Sequence, residues 1–232
     1  MTAGSGLFST QKPNVPHTVQ RGVGVAGEVF DLRDDVKRTM APMAAITVEE
    51  FTNPPAAVAN AIKLAIASSL AVQTYSGAAL NGAVGAGTMN PPRNITVTTA
   101  GVTPADAPAT ATVLGVDVNG AVISETITVA QTATIAVGAK AFAKVTSITL
   151  PVGQGAAATL AFGFGALIGL GKKIVTRAGL TSPVREIAVG VEVTTGTFAA
   201  ASVGLPNGTY SPASAADGTR DFALYYEYNP LV

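Results

Sequence analysis

Alternating apolar and polar positions dominate the chain from Asn94 onward, and they predict a series of β-strands. In residues 94–99, for example, Ile95 and Val97 fall on one face of the strand. Similar short segments follow, separated by turn residues, which is typical of a β-sandwich or barrel. The predicted strands are residues 94–99, 110–118, 121–129, 133–137, 144–150, 159–164, 173–176, 184–193 and 220–228.

The strongest turn signal is Asn119-Gly120, which separates two of these strands. An Asn-Gly pair favours a tight two-residue hairpin turn because both positions tolerate a positive φ. We therefore expect a mainly β fold, with a sandwich- or barrel-like domain over residues 91–232.

Residues 54–90 form an Ala-rich segment, in which the pattern predicts a helix within residues 54–80 followed by a loop. Pro54 and Pro55 stand where a helix could begin, and Val58, Ile62 and Ile66 recur at four-residue spacing. A Gly-rich stretch follows. This segment is the one place where the sequence predicts a short helix of several turns.

Residues 1–53 are expected to form an extended N-terminal arm. Pro13 and Pro16 remove backbone donors, and few large apolar residues are present to build a core. Residues 31–40 could form one short turn of helix. Such an arm becomes ordered against a partner, so we expect it to contribute to attachment or assembly.

Composition argues against most catalytic and cofactor chemistries. The chain has 232 residues, 48% hydrophobic and 12% charged, with no Cys, one His and equal numbers of acidic and basic side chains. No thiolate metal site, disulfide framework or thiol catalysis is possible, and a Ser-His-Asp site would depend on His17. We expect no enzyme and assign no catalytic, cofactor-binding or metal-ligating residue.

The charges are unevenly distributed along the chain. Residues 1–50 hold 11, residues 51–171 hold 7 and residues 172–232 hold 10. A soluble monomer ordinarily covers its surface with charge. The charge-poor middle therefore indicates a protein that lies against neighbours in an assembly.

Two long uncharged stretches, residues 64–92 and 145–171, have the length of a membrane span. The first contains several Ser, Thr, Gln and Asn residues, and the second has period-two alternation with many glycines. Both features argue against a spanning helix, and no secretory signal precedes them. We expect no membrane association.

Several motifs suggest chemistry, but each has a simpler structural interpretation. The glycines at 163, 165 and 169 lack the spacing of a dinucleotide-binding loop, and residues 169–173 fail the phosphate-loop pattern. Asp117 and Asn119 could serve a calcium loop but also suit a hairpin turn. Two groups complete the set: a basic cluster (Lys172, Lys173, Arg177, Arg185) and tyrosines that could stack on a sugar but fit a strand better (Tyr225, Tyr226, Tyr228).

From Pro92 onward the chain resembles a group of small β-rich virion proteins of tailed bacteriophages, interpreted as capsid decoration (cement) proteins. The resemblance covers roughly residues 90–232 and implies no catalytic site. It is carried by residues 92–98 (PRNITVT), 115–120 (GVDVNG), 123–127 (ISETI), 140–151 (KAFAKVTSITLP), 169–171 (GLG), 217–221 (DGTRD) and 225–226 (YY).

The resemblance implies a structural virion protein on the capsid surface, assembled in the bacterial cytoplasm. Its implied partners are the major capsid protein and further copies of itself, with a trimer as the oligomer common in such proteins, and no specific nucleic acid. Two alternatives remain open: a tail, tube or neck subunit, and a carbohydrate-binding Ig-like module using the C-terminal tyrosines. Particle stoichiometry separates the first two.

Overall fold

The computed structural model describes residues 45–173, 176–177, 180–181, 185–188, 191–193, 196–199 and 208–228. Over these residues the fold is mainly β, as predicted, with a large antiparallel sheet. The strands are β1 (Ala45–Phe51), β2 (Val58–Ala67), β3 (Gln73–Ser76), β4 (Thr88–Gly101), β5 (Thr110–Val116), β6 (Val122–Thr128), β7 (Ile135–Leu150), β8 (Ala158–Gly169), β9 (Thr176–Arg177), β10 (Leu180–Thr181), β11 (Arg185–Ala188), β12 (Val191–Val193), β13 (Thr197–Ala199), β14 (Thr209–Ser211) and β15 (Phe222–Tyr228).

The large sheet has nine strands and folds over one core. Its order is β13-β14-β8-β4-β7-β5-β6, with β2 added to β8 and β3 added to β7. The first half of β7 pairs with β4, while its second half pairs with β5 on one edge and β3 on the other. β7 therefore belongs to two layers, β2-β8-β4-β7 and β3-β7-β5-β6, in the manner of a sandwich corner.

The core between these layers is aliphatic and aromatic. Ile95 and Phe162 from the first layer, and Val113 and Ile148 from the second, are fully buried in one contiguous cluster. In the second layer Val113 and Ile148 alternate with less buried neighbours, which is the period-two pattern seen in the sequence. In β4 the residues on either side of Ile95 are buried as well. Burial of this face supplies the main driving force for folding.

A second, four-stranded sheet contains both ends of the described chain, in the order β1-β15-β11-β12. β1 pairs antiparallel with β15 from Ala45 opposite Tyr228 to Phe51 opposite Phe222. Residues 45–51, which we expected to end the extended arm, therefore form a strand, with Ala45, Thr47, Glu49 and Phe51 half-buried. The rest of the arm, including the predicted helical turn at 31–40, lies outside the described residues.

The predicted helix in residues 54–80 is wrong: this segment forms β2, β3 and a short 3-10 turn, Gly77–Ala79. β2 pairs with β8 but has two register shifts, and three successive residues, Ala61, Ile62 and Lys63, are buried. Bulges of this kind break the period of two. They left apolar positions at four-residue spacing, which imitates one face of a helix.

Two other strand boundaries differ from the prediction. Residues 133–137 and 144–150 belong to one 16-residue strand, β7. Residues 184–193, predicted as one strand, contain β11 and β12, which pair antiparallel with Ala188 opposite Val191. In the β11–β12 hairpin Ile187 stands opposite Glu192 and Glu186 opposite Val193, so the single alternating face predicted for residues 184–193 is wrong. Strand ends depend on pairing partners that the local pattern does not specify.

Candidate interaction surface

Four loops that connect the two layers gather at one end of the domain. β2–β3, β4–β5, β6–β7 and β7–β8 are joined by residues 68–72, 102–109, 129–134 and 151–157, which we call the loop end. The β5–β6 hairpin turn, residues 117–121, lies at the other end of those strands because antiparallel neighbours alternate direction. We call this the hairpin end.

Hydrogen bonds between the loops hold the loop end together. The Gly153 amide donates to the Ser69 carbonyl (2.8 Å), and the Ser68 hydroxyl donates to the Gly155 carbonyl (2.7 Å). The Gln154 amide donates to the Asp106 carbonyl (2.9 Å). These bonds link three of the four loops, so their tips are held in fixed relation to one another.

The fourth loop is attached to the same network. The Gln131 side chain donates to the Ala107 carbonyl (3.1 Å), and the Val129 amide donates to the Ala109 carbonyl (2.9 Å). Backbone groups in an irregular loop otherwise rely on water. The loop end is therefore a connected structure and not four independent tips.

The loop end is almost free of charge and exposes large aliphatic side chains. Its 26 residues include no Lys, Arg or aromatic residue, and one carboxylate, Asp106. That carboxylate accepts a hydrogen bond from the Ala157 amide (3.0 Å) within the same network. The exposed aliphatic residues are Leu70 (69%), Val72 (61%), Val102 (94%) and Val152 (49%).

The outer face of the β3-β7-β5-β6 layer, which we call the hydroxyl face, carries hydroxyl side chains in rows; its one described lysine, Lys144, stands opposite Val116 next to the hairpin end. Thr74, Thr149, Thr112 and Thr126 stand opposite one another across the four strands. The Thr74 and Thr149 hydroxyls lie 3.4 Å apart, and those of Thr112 and Thr126 lie 3.3 Å apart. The next row is Ser76, Ser147, Leu114 and Ser124.

The carboxylates nearest this face are engaged with backbone amides. Glu125 points to the other side of β6 and accepts from the Ala139 and Lys140 amides of β7. Asp117 is buried and accepts from the Asn119 (2.8 Å) and Ala121 (2.9 Å) amides. These carboxylates hold turns and strand edges together and supply little free surface charge.

Of the two interpretations of Asp117 from the sequence, a calcium loop and a hairpin turn, these contacts favour the hairpin turn. Oδ1 accepts the turn amides and Gly120 has a φ of +80°, but Asn119 is not among the described residues with a positive φ. The hairpin forms as predicted, but its loop is longer than a two-residue turn: the Asp117 amide donates to the Ala121 carbonyl (2.9 Å), and the Gly120 amide donates to the Asp117 carbonyl (3.1 Å). A small depression beside this turn is lined in part by Lys140 and Thr209. Within the described residues no three His, Asp or Glu side chains come together as metal ligands.

The glycine-rich and tyrosine motifs also have structural roles here. Gly163 and Gly165 lie within β8, where an added Cβ would overlap the Val58 carbonyl or approach the Asn94 side chain. Tyr226 is buried with Leu170, Tyr210 and Leu224, and Tyr228 packs against that cluster, while Tyr225 alternates to the other face of β15. The three tyrosines therefore share no single platform.

The structure describes the side chains of two of the four residues in the basic cluster. Lys172 and Lys173 are exposed and directly follow β8, and the Lys172 ammonium lies 5.8 Å from the centre of the Tyr228 ring. The side chains of Arg177 and Arg185 lie outside the described residues. In the two long uncharged stretches, and elsewhere in the described chain, no helix has the length and hydropathy of a membrane span.

One cation, Arg93, is fully buried within β4. Its Nη2 donates to the Pro55 carbonyl (2.7 Å), its Nε donates to the Gly165 carbonyl (3.0 Å), and its guanidinium lies 5.3 Å from the centre of the Phe164 ring. Nη1 has no hydrogen-bond partner among the described residues. Burial lowers the pKa of Arg93 to about 10. Its contacts join the entry of β2 to β8, which is a structural role.

No protein-family model, no curated protein and no solved structure matches the chain. Interpretation of function therefore depends on the surface itself. The sequence indicated that the charge-poor segment contacts neighbours, but it did not identify the exposed aliphatic residues of the loop end as a site.

Proposed function

We propose that the protein is a structural virion component of a tailed bacteriophage, acting as a capsid decoration protein that binds the major capsid protein. The observation that carries the proposal is the loop end, 26 residues with one internally bonded carboxylate and four exposed aliphatic side chains. Surfaces of this kind on soluble domains mark sites of contact with another protein. The resemblance of residues 90–232 to phage decoration proteins supplies the identity of that partner.

The hydroxyl face supports the same function in a second way. Short Thr and Ser side chains lose little rotamer entropy when covered, and they allow close approach of a neighbouring surface. A face of this kind suits repeated contacts between copies or with a shell. Symmetric copies would multiply individually weak contacts through avidity.

The hydrogen-bonding roles of the charged residues also support a binding protein without catalysis. Asp117 and Glu125 accept backbone amides, and Arg93 donates to backbone carbonyls. A general acid or base needs a titratable group free to reach a substrate. These three groups are committed to the fold.

A tail, tube or neck subunit is the second candidate, since a charge-poor β-surface also fits a tube. Copy number separates the two. Quantitative mass spectrometry of purified particles should give hundreds of copies per particle, and immunogold labelling should place them on heads. A few dozen copies located on tails would replace the proposal with the alternative.

The arm is expected to contribute to attachment, although residues 1–44 lie outside the described structure. Deletion of residues 2–40 should leave the β-domain folded, as judged by circular dichroism, and should weaken decoration of particles. Equal binding of the truncated and full-length chains in sedimentation at matched concentration would show that the arm is not the anchor.

A further inference from the structure

The loop end differs from an ordinary set of surface loops in being both stiff and apolar. Leu70, Val102 and Val152 each stand on a different loop, and the bonds from Gly153 to Ser69 and from the Val102 amide to the Ala157 carbonyl (3.1 Å) hold those loops together. A contact surface that is already ordered loses little conformational entropy on binding. The arrangement is therefore prepared for docking.

The composition of the loop end disfavours a lipid surface. Interfacial membrane binding combines buried apolar side chains with Trp or Tyr at the headgroup level and with Lys or Arg against anionic lipids. The 26 residues contain none of these four residue types. The charge pattern fits a neutral protein surface instead.

The available area disfavours a stable dimer of this chain through the same patch. One Val or Leu side chain has roughly 60–120 Å² of apolar surface to bury, so four supply at most roughly 480 Å². Stable interfaces bury about 800 Å² per partner. A patch of about half that size binds weakly alone and becomes effective when many copies bind one repeating surface.

Two lysines of the large sheet lie at its hairpin end. Lys140 lines the depression beside the 117–121 turn, and Lys144 of β7 stands opposite Val116, the last residue of β5 before that turn. The large sheet is therefore polarised, with an uncharged apolar loop end and a hairpin end that carries lysines. Polarity of this kind gives a bound domain one preferred orientation.

We propose that the loop end is the surface that docks onto a neutral, apolar patch of the shell subunit, with the hairpin end directed outward. This inference rests on the proposed function and specifies which surface performs it. Leu70, Val72, Val102 and Val152 are the anchoring side chains. Asp106 positions their loops through its bond to Ala157 and makes no contact with the partner.

The test compares two double variants of the full-length chain. Leu70→Lys/Val102→Lys places two charges on the loop end, and Val118→Lys/Val122→Lys places two at the hairpin end, where both valines are also exposed (41% and 74%). Shells are assembled from the major capsid protein of the same genome and purified without this chain. Binding is measured by co-sedimentation, and thermal unfolding checks that both variants fold.

We expect the loop-end variant to need at least about tenfold more protein for half-saturation, whereas the hairpin-end variant stays within about twofold of the wild type, since anchors in a buried contact dominate binding. Equal binding by all three proteins would overturn the inference while leaving the proposed function intact. So would an equal loss in both variants. If the wild type itself binds no shell, the proposed function fails first.

Two further experiments with the same proteins test whether the loop end binds a membrane or a second copy of the chain. Wild-type binding to vesicles of phosphatidylcholine and phosphatidylglycerol that the loop-end variant loses would assign the patch to a membrane and overturn the inference. Concentration-dependent dimerisation in sedimentation velocity that the loop-end variant loses would assign it to a second copy, with the same consequence. Absence of both, with shell binding lost, is the expected result.

Discussion

The hydroxyl of Tyr226 donates a hydrogen bond to the carboxylate of Glu49, joining the last described strand of the chain to the first. The same carboxylate oxygen accepts the Gly171 amide (2.9 Å), and the Tyr226 oxygen accepts the Lys172 amide (3.1 Å). Burial is the main cause that raises the pKa of Glu49, and it also raises the pKa of Tyr226. This junction connects β1, β15 and the end of β8.

Replacement of Tyr226 by Phe should destabilise the domain by about 1–3 kcal/mol, because a half-buried carboxylate and a backbone amide lose their partner. Tyr225→Phe serves as the matched control, since Tyr225 lies on the other face of β15. Urea unfolding of the three proteins measures the difference. A Tyr226→Phe variant as stable as the control would show that the junction contributes nothing.

Glu49 should make stability depend on pH in a particular direction. Because its pKa is raised in the folded state, the folded protein holds a proton that the unfolded chain has released. The free energy of unfolding should therefore fall as pH rises from the unfolded value near 4.5 through the raised value. Glu49→Gln should flatten this part of the profile, whereas Glu50→Gln, at an exposed position, should leave it unchanged. Parallel profiles for all three proteins would contradict the assignment.

Arg93 should stabilise the fold through the shape of its guanidinium group as well as through its charge. Arg93→Lys keeps the charge but cannot reach both the Pro55 and Gly165 carbonyls, so we expect a loss of about 2–4 kcal/mol. Lys144→Arg, at an exposed position, is the control. Chemical denaturation measures the free energy of unfolding of these proteins. An Arg93→Lys protein of wild-type stability would contradict this prediction.

Gly163 should tolerate no side chain, because its Cβ would overlap the Val58 carbonyl where β2 crosses β8. Gly163→Ala should destabilise the domain by about 1–3 kcal/mol or displace β2. Ala166→Val adds bulk to an exposed position of the same strand and should be nearly neutral. Hydrogen exchange of the β2 amides locates the effect; unchanged protection in Gly163→Ala would be inconsistent with this close approach.

The β-fold could be predicted because its signals are local. Alternation in residues 94–99 and the Asn119-Gly120 pair identify strands and a turn through interactions between near neighbours. β2 could not be predicted, since its bulges and the buried Lys63, which donates to the Asn81 side chain and lies 4.9 Å from the centre of the Tyr75 ring, depend on partners distant in sequence. In β2, tertiary contacts override the local secondary-structure propensity of the residues.

The candidate surface was predictable only in its composition. Low charge over residues 51–171 is visible in the sequence, and it indicates contact with neighbours. That Leu70, Val102 and Val152 meet at one end follows from the pairing of β2, β4 and β7, which the sequence does not specify. That these loops lie together can be predicted only when the arrangement of the two layers is known.

The most direct test of the account is to add the purified full-length protein back to shells that lack it and to count bound copies by quantitative mass spectrometry after sedimentation. We expect saturable binding at hundreds of copies per shell, together with a higher temperature for shell disruption in a thermal melt, because a ligand that binds only the intact state stabilises it. Binding that stays at background, or that leaves the disruption temperature unchanged at saturation, would contradict a decoration function.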